Sequence, residues 1–214
     1  MIDILREGMV AIDIGAHVGE YTMVAAMLVG SRGMVYAFEP QETLAEVIKL
    51  NAARNNLRNV SVWNQAVADH AGPVRFLADG RSMGGWIARN SQATMMVPST
   101  TLDDFTARHD IPRINFIKID AGGNELAVLQ GGKALFNDQQ PAIICKFYHP
   151  EVVNERFGYD ARMIIECGTQ YHYKLFLLDD AGQPDALPIW SMNQIAERFD
   201  RGAYCLNLLG VRGN

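Results

Sequence analysis

Short apolar runs alternate along this chain with longer stretches of helical period. The run "MVAIDI" (9–14) has the length of a buried strand, and "YTMVAAMLVG" (21–30) predicts a helix closed by Gly30 and an "SRG" turn. "MVYAFE" (34–39) predicts a second strand, after which Pro40 opens the helical stretch "QETLAEVIKLNAARNN". "VSVWNQAV" (60–67) predicts a third strand. Over 68–101 the pattern is less regular, with a "DHAG" turn, a β-like "PVRFLA" and a loop containing "SMGGW" (82–86). "TLDDFTARH" (101–109) starts with Thr and carries acids in its first turn, which predicts a short helix. "INFIKID" (114–120) is a buried strand, and "NELAVLQGGKALF" after it is a helix with a glycine break. "PAIICKFYH" (141–149) is a further strand, and 160–170 is helical. "YKLFLLD" (173–179) and "YCLNLLGV" (204–211) are two late strands, joined through a short helix around "MNQIAERF".

Strand and helix alternate at least five times, the signature of a mainly parallel sheet covered on both faces. The expected fold is α/β: one doubly wound domain over 1–214, with about seven strands, the last of them antiparallel. No repeat, linker or low-complexity tract interrupts it, and the 80–100 loop is the candidate insertion or lid.

Composition changes this picture little, at 49% apolar and 20% charged residues. A net charge of −5 argues against a broad nucleic-acid-binding face. Cys145, Cys167 and Cys205 are widely spaced and odd in number, so buried reduced thiols and a cytoplasmic setting are expected. "MIDILREGMV" lacks the basic-then-apolar pattern of a signal peptide, and no window has the ~18–20 apolar residues of a membrane helix. No metal-ligand spacing occurs, so no metal is expected.

The chemistry concentrates at strand ends. In open parallel sheets, ligands bind beyond the C-terminal ends of the strands. "DIGAHVG" (13–19) ends the first strand: Gly15 permits the sharp turn, Gly19 lets the next helix approach closely, and the exposed N–H groups favour an anion. Asp13 there favours a positive group. Glu39 ends the second strand, where a carboxylate accepts hydrogen bonds from ribose hydroxyls. The D-x-G-x-x-x-G spacing has His17 where a dinucleotide motif has its middle glycine, which suits S-adenosylmethionine better than a pyrophosphate.

The blocks "IDIGAHVGEYT", "VYAFEP", "NAARNNLRNVSVWNQAVADHAG", "TTLDDF", "INFIKIDAGGNELAVLQGG" and "QPAIICKFYHP" resemble, in order, those of the FkbM-type methyltransferases, from about residue 9 to 150. The resemblance implies a class I, Rossmann-like methyltransferase fold, S-adenosylmethionine as cofactor, and transfer to a hydroxyl of a sugar or secondary metabolite. It places Asp13, Gly15 and Gly19 at the methionine end, Glu39 at the ribose, and Gln65, Ala66 and Val67 at the adenine, with Ala16, His17, Thr22 and Pro40 also among the cofactor-binding residues. Asp120 falls near donor and acceptor. Two departures stand out: "DAGGNE" has Gly122 where the family pattern D-x-E-G-x-E has an acid, and the fifth strand carries Lys146 where a Glu is usual.

Removing a proton from an alcohol acceptor needs a base, and Asp120, Glu125, Lys146 and His149 are the candidates. His149 reads equally as a turn residue before Pro150, Glu125 as a first-turn helix residue, and Lys146 as a partner of Asp120. Phe147, Tyr148 and Trp86 could frame an apolar acceptor pocket. Two other functions stay open: a binding module that holds the nucleoside without transfer, and a nicotinamide dehydrogenase on a related fold. The expected partner is a small hydroxylated molecule, without nucleic acid or membrane.

Overall fold

A computed structural model describes the chain except residues 2, 79–84, 89–93, 112, 180, 186–187, 190–191, 201–204 and 214, together with the side chains of 196, 197 and 200. The strands are β1 (Val10–Ile14), β2 (Met34–Phe38), β3 (Val60–Trp63), β4 (Ala66–Val67), β5 (Gly72–Ala78), β6 (Gly85–Ile87), β7 (Met95–Thr100), β8 (Phe116–Ile119), β9 (Ala142–Tyr148), β10 (Tyr173–Leu178) and β11 (Cys205–Arg212). The helices are α1 (Glu20–Val29), α2 (Glu42–Arg54), α3 (Leu102–Arg108), α4 (Glu125–Gly131), α5 (Lys133–Asp138), α6 (Pro150–Phe157), α7 (Arg162–Gln170) and α8 (Asn193–Asp200).

Seven strands form the main sheet in the order β10-β11-β9-β8-β1-β2-β3. The pairs from β9 through to β3 are parallel, and β11 inserts antiparallel between β9 and β10. This is the expected doubly wound α/β sheet with its last strand reversed. Chain order reverses direction at β1, and the crevice beyond the strand ends there is where such folds bind ligands.

Strand alternation decides which face each side chain meets. Ala11, Val35 and Phe116 pack under α1 against Ala25, Ala26 and Val29. Ile12, Ile14, Ile117 and Ile119 point the other way, into a larger core with Leu102 and Phe105 of α3, Leu126 and Leu129 of α4, Phe136 of α5 and Ile164 of α7. Phe147 is wholly buried in that same core and stacks on Phe199 of α8, so it is not a pocket residue.

Three details differ from the sequence expectation. The 60–67 run is broken: the Gln65 N–H donates to the Trp63 carbonyl, and the Asn64 amide donates to the carbonyls of Glu39 and Pro40. Ala66–Val67 therefore leaves the main sheet and pairs with β7. The less regular 68–101 segment builds a second sheet, ordered β4-β7-β5-β6, around Ala66, Val74, Phe76 and Val97. Its strands read poorly because Pro73 and Pro98 face each other across β5 and β7, and proline within a run normally argues against a strand. Of "SMGGW", 82–84 lie outside the described residues, as do 80–84 and 89–93 of the expected lid, while Gly85 and Trp86 belong to β6. The third difference is α6, which starts with Pro150 at its first turn and ends at Gly158 in the left-handed region (φ 68°).

Among the described residues, no helix is long and apolar enough to cross a membrane. Phe105 fastens α3 to the far edge of the sheet, with its ring 4.8 Å from Phe38, 5.1 Å from Trp63 and 5.4 Å from Tyr36. Truncation to Phe105→Ala is expected to lower stability by about 3–5 kcal/mol, read from urea denaturation.

Candidate functional site

A cavity of about 350 Å³ opens beyond the C-terminal ends of β1, β2, β8 and β9. Its size falls in the usual range for small-molecule sites, about 300–1,000 Å³. One end is built by the turn after β1. There the N–H groups of Gly15 and Ala16 both donate to the Phe38 carbonyl at 3.0 Å, and that of His17 donates to Glu39 Oε2 at 2.9 Å. Gly15 has φ 75°, and a Cβ on it would collide with the carbonyl oxygen of Asp120. His17 has φ 55°, so this polar residue takes the left-handed conformation that a glycine would otherwise supply. The Gln41 N–H reaches the other Glu39 oxygen, Oε1, at 3.0 Å. Glu39 is only 4% exposed, and burial raises its pKa against the lowering effect of these two N–H bonds.

Gly15, His17, Glu39, Pro40, Gln65, Ala66, Val67, Asp120 and Lys146 all lie on the cavity wall. Asp13, Ala16, Gly19 and Thr22 do not. Asp13 shares the face of Ala11, below α1, because side chains alternate along β1. There it accepts the Thr22 hydroxyl at 2.6 Å and the Lys118 ammonium at 3.3 Å. Lys118 is its direct neighbour in register on β8 and also sits over the Tyr21 ring at 4.6 Å. Ala16 is buried, and Gly19 brings the start of α1 against Ile48 of α2. The positive group that Asp13 attracts is therefore a lysine of the protein itself.

At the other end, Asp120 is held between two residues of β9. Lys146 Nζ donates to its Oδ2 at 2.8 Å, and the Tyr148 hydroxyl donates to Oδ1 at 3.3 Å. Lys146 and Tyr148 are two apart and so share a face of β9, while Cys145 and Phe147 point into the core. Burial pulls the Lys146 pKa down, but the hydrogen bond and charge of Asp120 outweigh it and hold the ammonium above its ordinary value. Burial first, then Asp120, pushes the Tyr148 phenol well up, so it stays a donor.

Glu125 and His149 are off the wall. Glu125 is fully buried, its Oε1 accepting the N–H groups of Ala121 at 2.9 Å and Gly123 at 3.1 Å, while Oε2 has no hydrogen-bond partner among the described residues. Its role in the geometry is to clamp the 120–124 loop. His149 caps α6 through Nδ1, which accepts the Glu151 N–H at 3.3 Å, and its ring packs on Phe199. Sequence reasoning missed α6, whose Val152 and Arg156 reach the wall one turn apart, and it missed Gly85 and Ile87 of β6. Pro150 and Gly158 were the available signal for α6. Trp86 and Tyr148, expected as aromatic framing, are both on the wall.

The FkbM methyltransferase domain profile matches residues 13–175, more than half of the chain. The chain belongs to the FkbM methyltransferase family. The hexuronic acid methyltransferase AglP of Haloferax volcanii is 22% identical over 119 residues, covering 56% of this chain and 48% of that protein. The structure of methyltransferase FkbM from Methylobacillus flagellatus superposes with a TM-score of 0.58 at 13% identity, covering 96% of this chain and 43% of that one. Aeropyrum pernix fibrillarin, solved with natively bound S-adenosylmethionine, superposes with a TM-score of 0.55 at 11% identity, covering 97% and 68%. The chain thus spans about half the length of the Haloferax relative. S-adenosylmethionine is the cofactor that goes with this family and fold.

Within an FkbM domain, the two departures have a local cause. Gly122 has φ 63°, and a Cβ there would lie 2.5 Å from the Gly85 carbonyl oxygen and 3.2 Å from the Trp86 Cβ. Strand β6 covers the loop, so no acidic side chain fits at that position. Lys146 then meets Asp120 directly.

Burial pushes the Glu125 carboxyl up to about 7 against its backbone N–H bonds, with Asp120 adding to the rise. The folded pKa exceeds the unfolded one, so folding takes up a proton. The stabilisation is full below the model-peptide value of 4.5 and is lost as pH rises through about 7. Urea titrations between pH 4.5 and 8 should show a loss on the order of 3 kcal/mol from this group, absent in Glu125→Gln.

Proposed function

We propose that this FkbM-family chain transfers the methyl group of S-adenosylmethionine to an oxygen of a small acceptor, a hydroxyl on a sugar or secondary metabolite. The observation that carries the reading is one cavity with a carboxylate at each strand-end pair: the buried Glu39 between β1 and β2, and the half-buried Asp120 between β8 and β9. The name of the Haloferax volcanii relative, a hexuronic acid methyltransferase, supports a sugar-like acceptor.

The residues present fit the cofactor. Each Glu39 oxygen accepts one N–H and keeps a lone pair for a ribose hydroxyl. Gln41, Gln65, Ala66 and Val67 continue the wall from there and suit an adenine, with apolar surface and amide groups together. Gly15 leaves its Cβ space to the approach of the Asp120 loop. Asp13 is committed to Lys118 and stands off the wall. When bound, S-adenosylmethionine supplies an electrophilic methyl group, whose bond to sulfur breaks as the bond to the acceptor oxygen forms, the electron pair staying on sulfur.

The chain's own work is to hold and to accept a proton. Trp86, Tyr148 and Phe157 wall the acceptor end. Fixing the reactants this way contributes up to ~7–11 kcal/mol of the barrier reduction in favourable cases. Asp120 Oδ1 has the longer of that carboxylate's two bonds, 3.3 Å from Tyr148, and is the oxygen that takes the acceptor proton. Lys146 on Oδ2 keeps the carboxylate oriented.

A second reading, a binding module without transfer, draws on the same pair: Lys146 and Tyr148 both donate to Asp120, one on each of its oxygens. Calorimetry with S-adenosylhomocysteine, with NAD as the comparison, tests the nucleoside site common to both readings. Glu39→Ala should weaken S-adenosylhomocysteine binding about tenfold or more, the loss of roughly one charge-assisted hydrogen bond. Unchanged affinity removes the ribose assignment. Methyl transfer from labelled cofactor to a panel of hydroxylated sugars separates the enzyme from the module.

A further inference from the structure

We infer that Glu125 is a positioning residue that acts as a buried counter-charge to the cofactor's sulfonium: S-adenosylmethionine drives a proton off this carboxyl as it binds, and S-adenosylhomocysteine, which has no sulfonium, does not. The inference rests on the methyltransferase reading above and adds to it a proton linkage that separates cofactor from product.

Asp120, Ala121, Gly122 and Asn124 line the cavity, and Glu125 ties down that same stretch of main chain through the N–H groups of Ala121 and Gly123. The Tyr159 hydroxyl holds the loop as well, donating to the Gly123 carbonyl at 3.1 Å. A Cβ on Gly122 would meet β6 and one on Gly123 the Phe157 ring, so the loop is packed on both glycines. Among the described residues, the charged groups beside the Glu125 carboxyl are Asp120 and, on β9, Lys146; the thiols of Cys145 and Cys205 and the Tyr148 phenol are neutral neighbours. The charged side chains of α5 (Lys133, Asp138), α6 (Glu151, Glu155, Arg156) and α7 (Arg162, Glu166) are exposed. On α3, Asp103 caps α5 and Asp104 pairs with Arg108. Two carboxyl groups therefore share one ammonium, and that ammonium bonds to Asp120. Glu125 is left with an oxygen that is buried and unpartnered, which in a native site calls for a physical reason. A site one positive charge short supplies it.

Asp120 takes the acceptor proton in the reading above, so the reacting methyl and its sulfonium stand beside the same loop. At an effective dielectric of about 20, a unit charge ~8–10 Å from a carboxyl biases its proton equilibrium by roughly tenfold. The sulfonium thus lowers the Glu125 pKa from its value of about 7, and affinity for S-adenosylmethionine rises with pH through the neutral range. The ionised carboxylate also accepts its two N–H bonds more strongly, so the loop tightens as the cofactor seats. After transfer the sulfur is neutral, the proton returns to Glu125, and the clamp relaxes around the product.

Calorimetry on the full chain at pH 6 and pH 8 tests this, with S-adenosylmethionine and S-adenosylhomocysteine as the two probes. The affinity ratio of the first to the second should rise about fivefold from pH 6 to pH 8. Taking the ratio removes what both probes share, their amino group and the wall residues His17 and Glu39. In Glu125→Gln, whose amide oxygen can still accept the two N–H groups, the ratio should stay flat, whereas His17→Asn should keep the rise. At pH 7, in buffers of different ionisation enthalpy, the unmodified chain should release about 0.4 more protons with S-adenosylmethionine than with S-adenosylhomocysteine, a reading that needs no variant to fold. Binding of neither probe overturns the cofactor reading and the inference with it. Binding of both with a flat ratio, equal proton release, or a rise that survives in Glu125→Gln overturns the inference and leaves the cofactor reading standing.

Discussion

Three consecutive N–H groups sew the turn after β1 to the end of β2. Gly15 and Ala16 share the Phe38 carbonyl, and His17 takes the Glu39 carboxylate. Almost everything else about the site depends on this. The turn brings Gly15 so close to Asp120 that no Cβ fits between them, which fixes β8's loop against β1's. Gln41 adds the second N–H to Glu39 and so sets the start of α2. One buried carboxylate therefore ties together two strand ends and a helix start. Its raised pKa measures the cost of keeping it in a crevice.

Much of this was legible in the sequence, because strand ends are punctuated. Apolar runs ending in Asp13–Gly15 and in Glu39–Pro40 announce where the sheet opens, and its mainly parallel character follows from the alternation of strands and helices. Face is harder to read than position. Asp13 ends the same run as Ile14, yet one residue of offset puts it beneath α1, and its partner Lys118 becomes visible only when β1 and β8 are set in register. The second sheet was hidden by Pro73 and Pro98, which sit opposite each other and break the usual pattern of both strands. Helix α6 was hidden differently: its start and stop residues were present, but its short stretch is polar enough to pass for a loop.

Two lysine–aspartate pairs lie across adjacent strands, and they differ in what they leave open. Asp13 and Lys118 are nearly buried, and Asp13 also receives Thr22. A pair so enclosed adds little net stability over apolar residues but is costly to break. Asp120 and Lys146 are each partly open to the cavity, at 27% and 28% side-chain exposure. Their remaining donors and lone pairs face a space large enough for a ligand. The same chemical couple is thus enclosed on one face of the sheet and open to the cavity at the strand ends, and burial makes the difference.

The acceptor end shows how a covering strand changes chemistry without touching the reaction directly. Strand β6 lies over the 120–124 loop closely enough that its Gly85 carbonyl forbids a side chain at 122. That loop still needs both left-handed glycines, Gly122 and Gly123, and Glu125 beneath it ties down the N–H groups of Ala121 and Gly123. With no acid available at 122, Asp120 is the one carboxylate of this loop on the wall, and an acid at 146 would crowd a second negative charge beside it. Lysine there removes the repulsion and adds a donor. The glycine and the lysine thus meet at one loop: β6 leaves no room for a side chain at 122, and the ammonium at 146 pairs with the carboxylate that remains beside it.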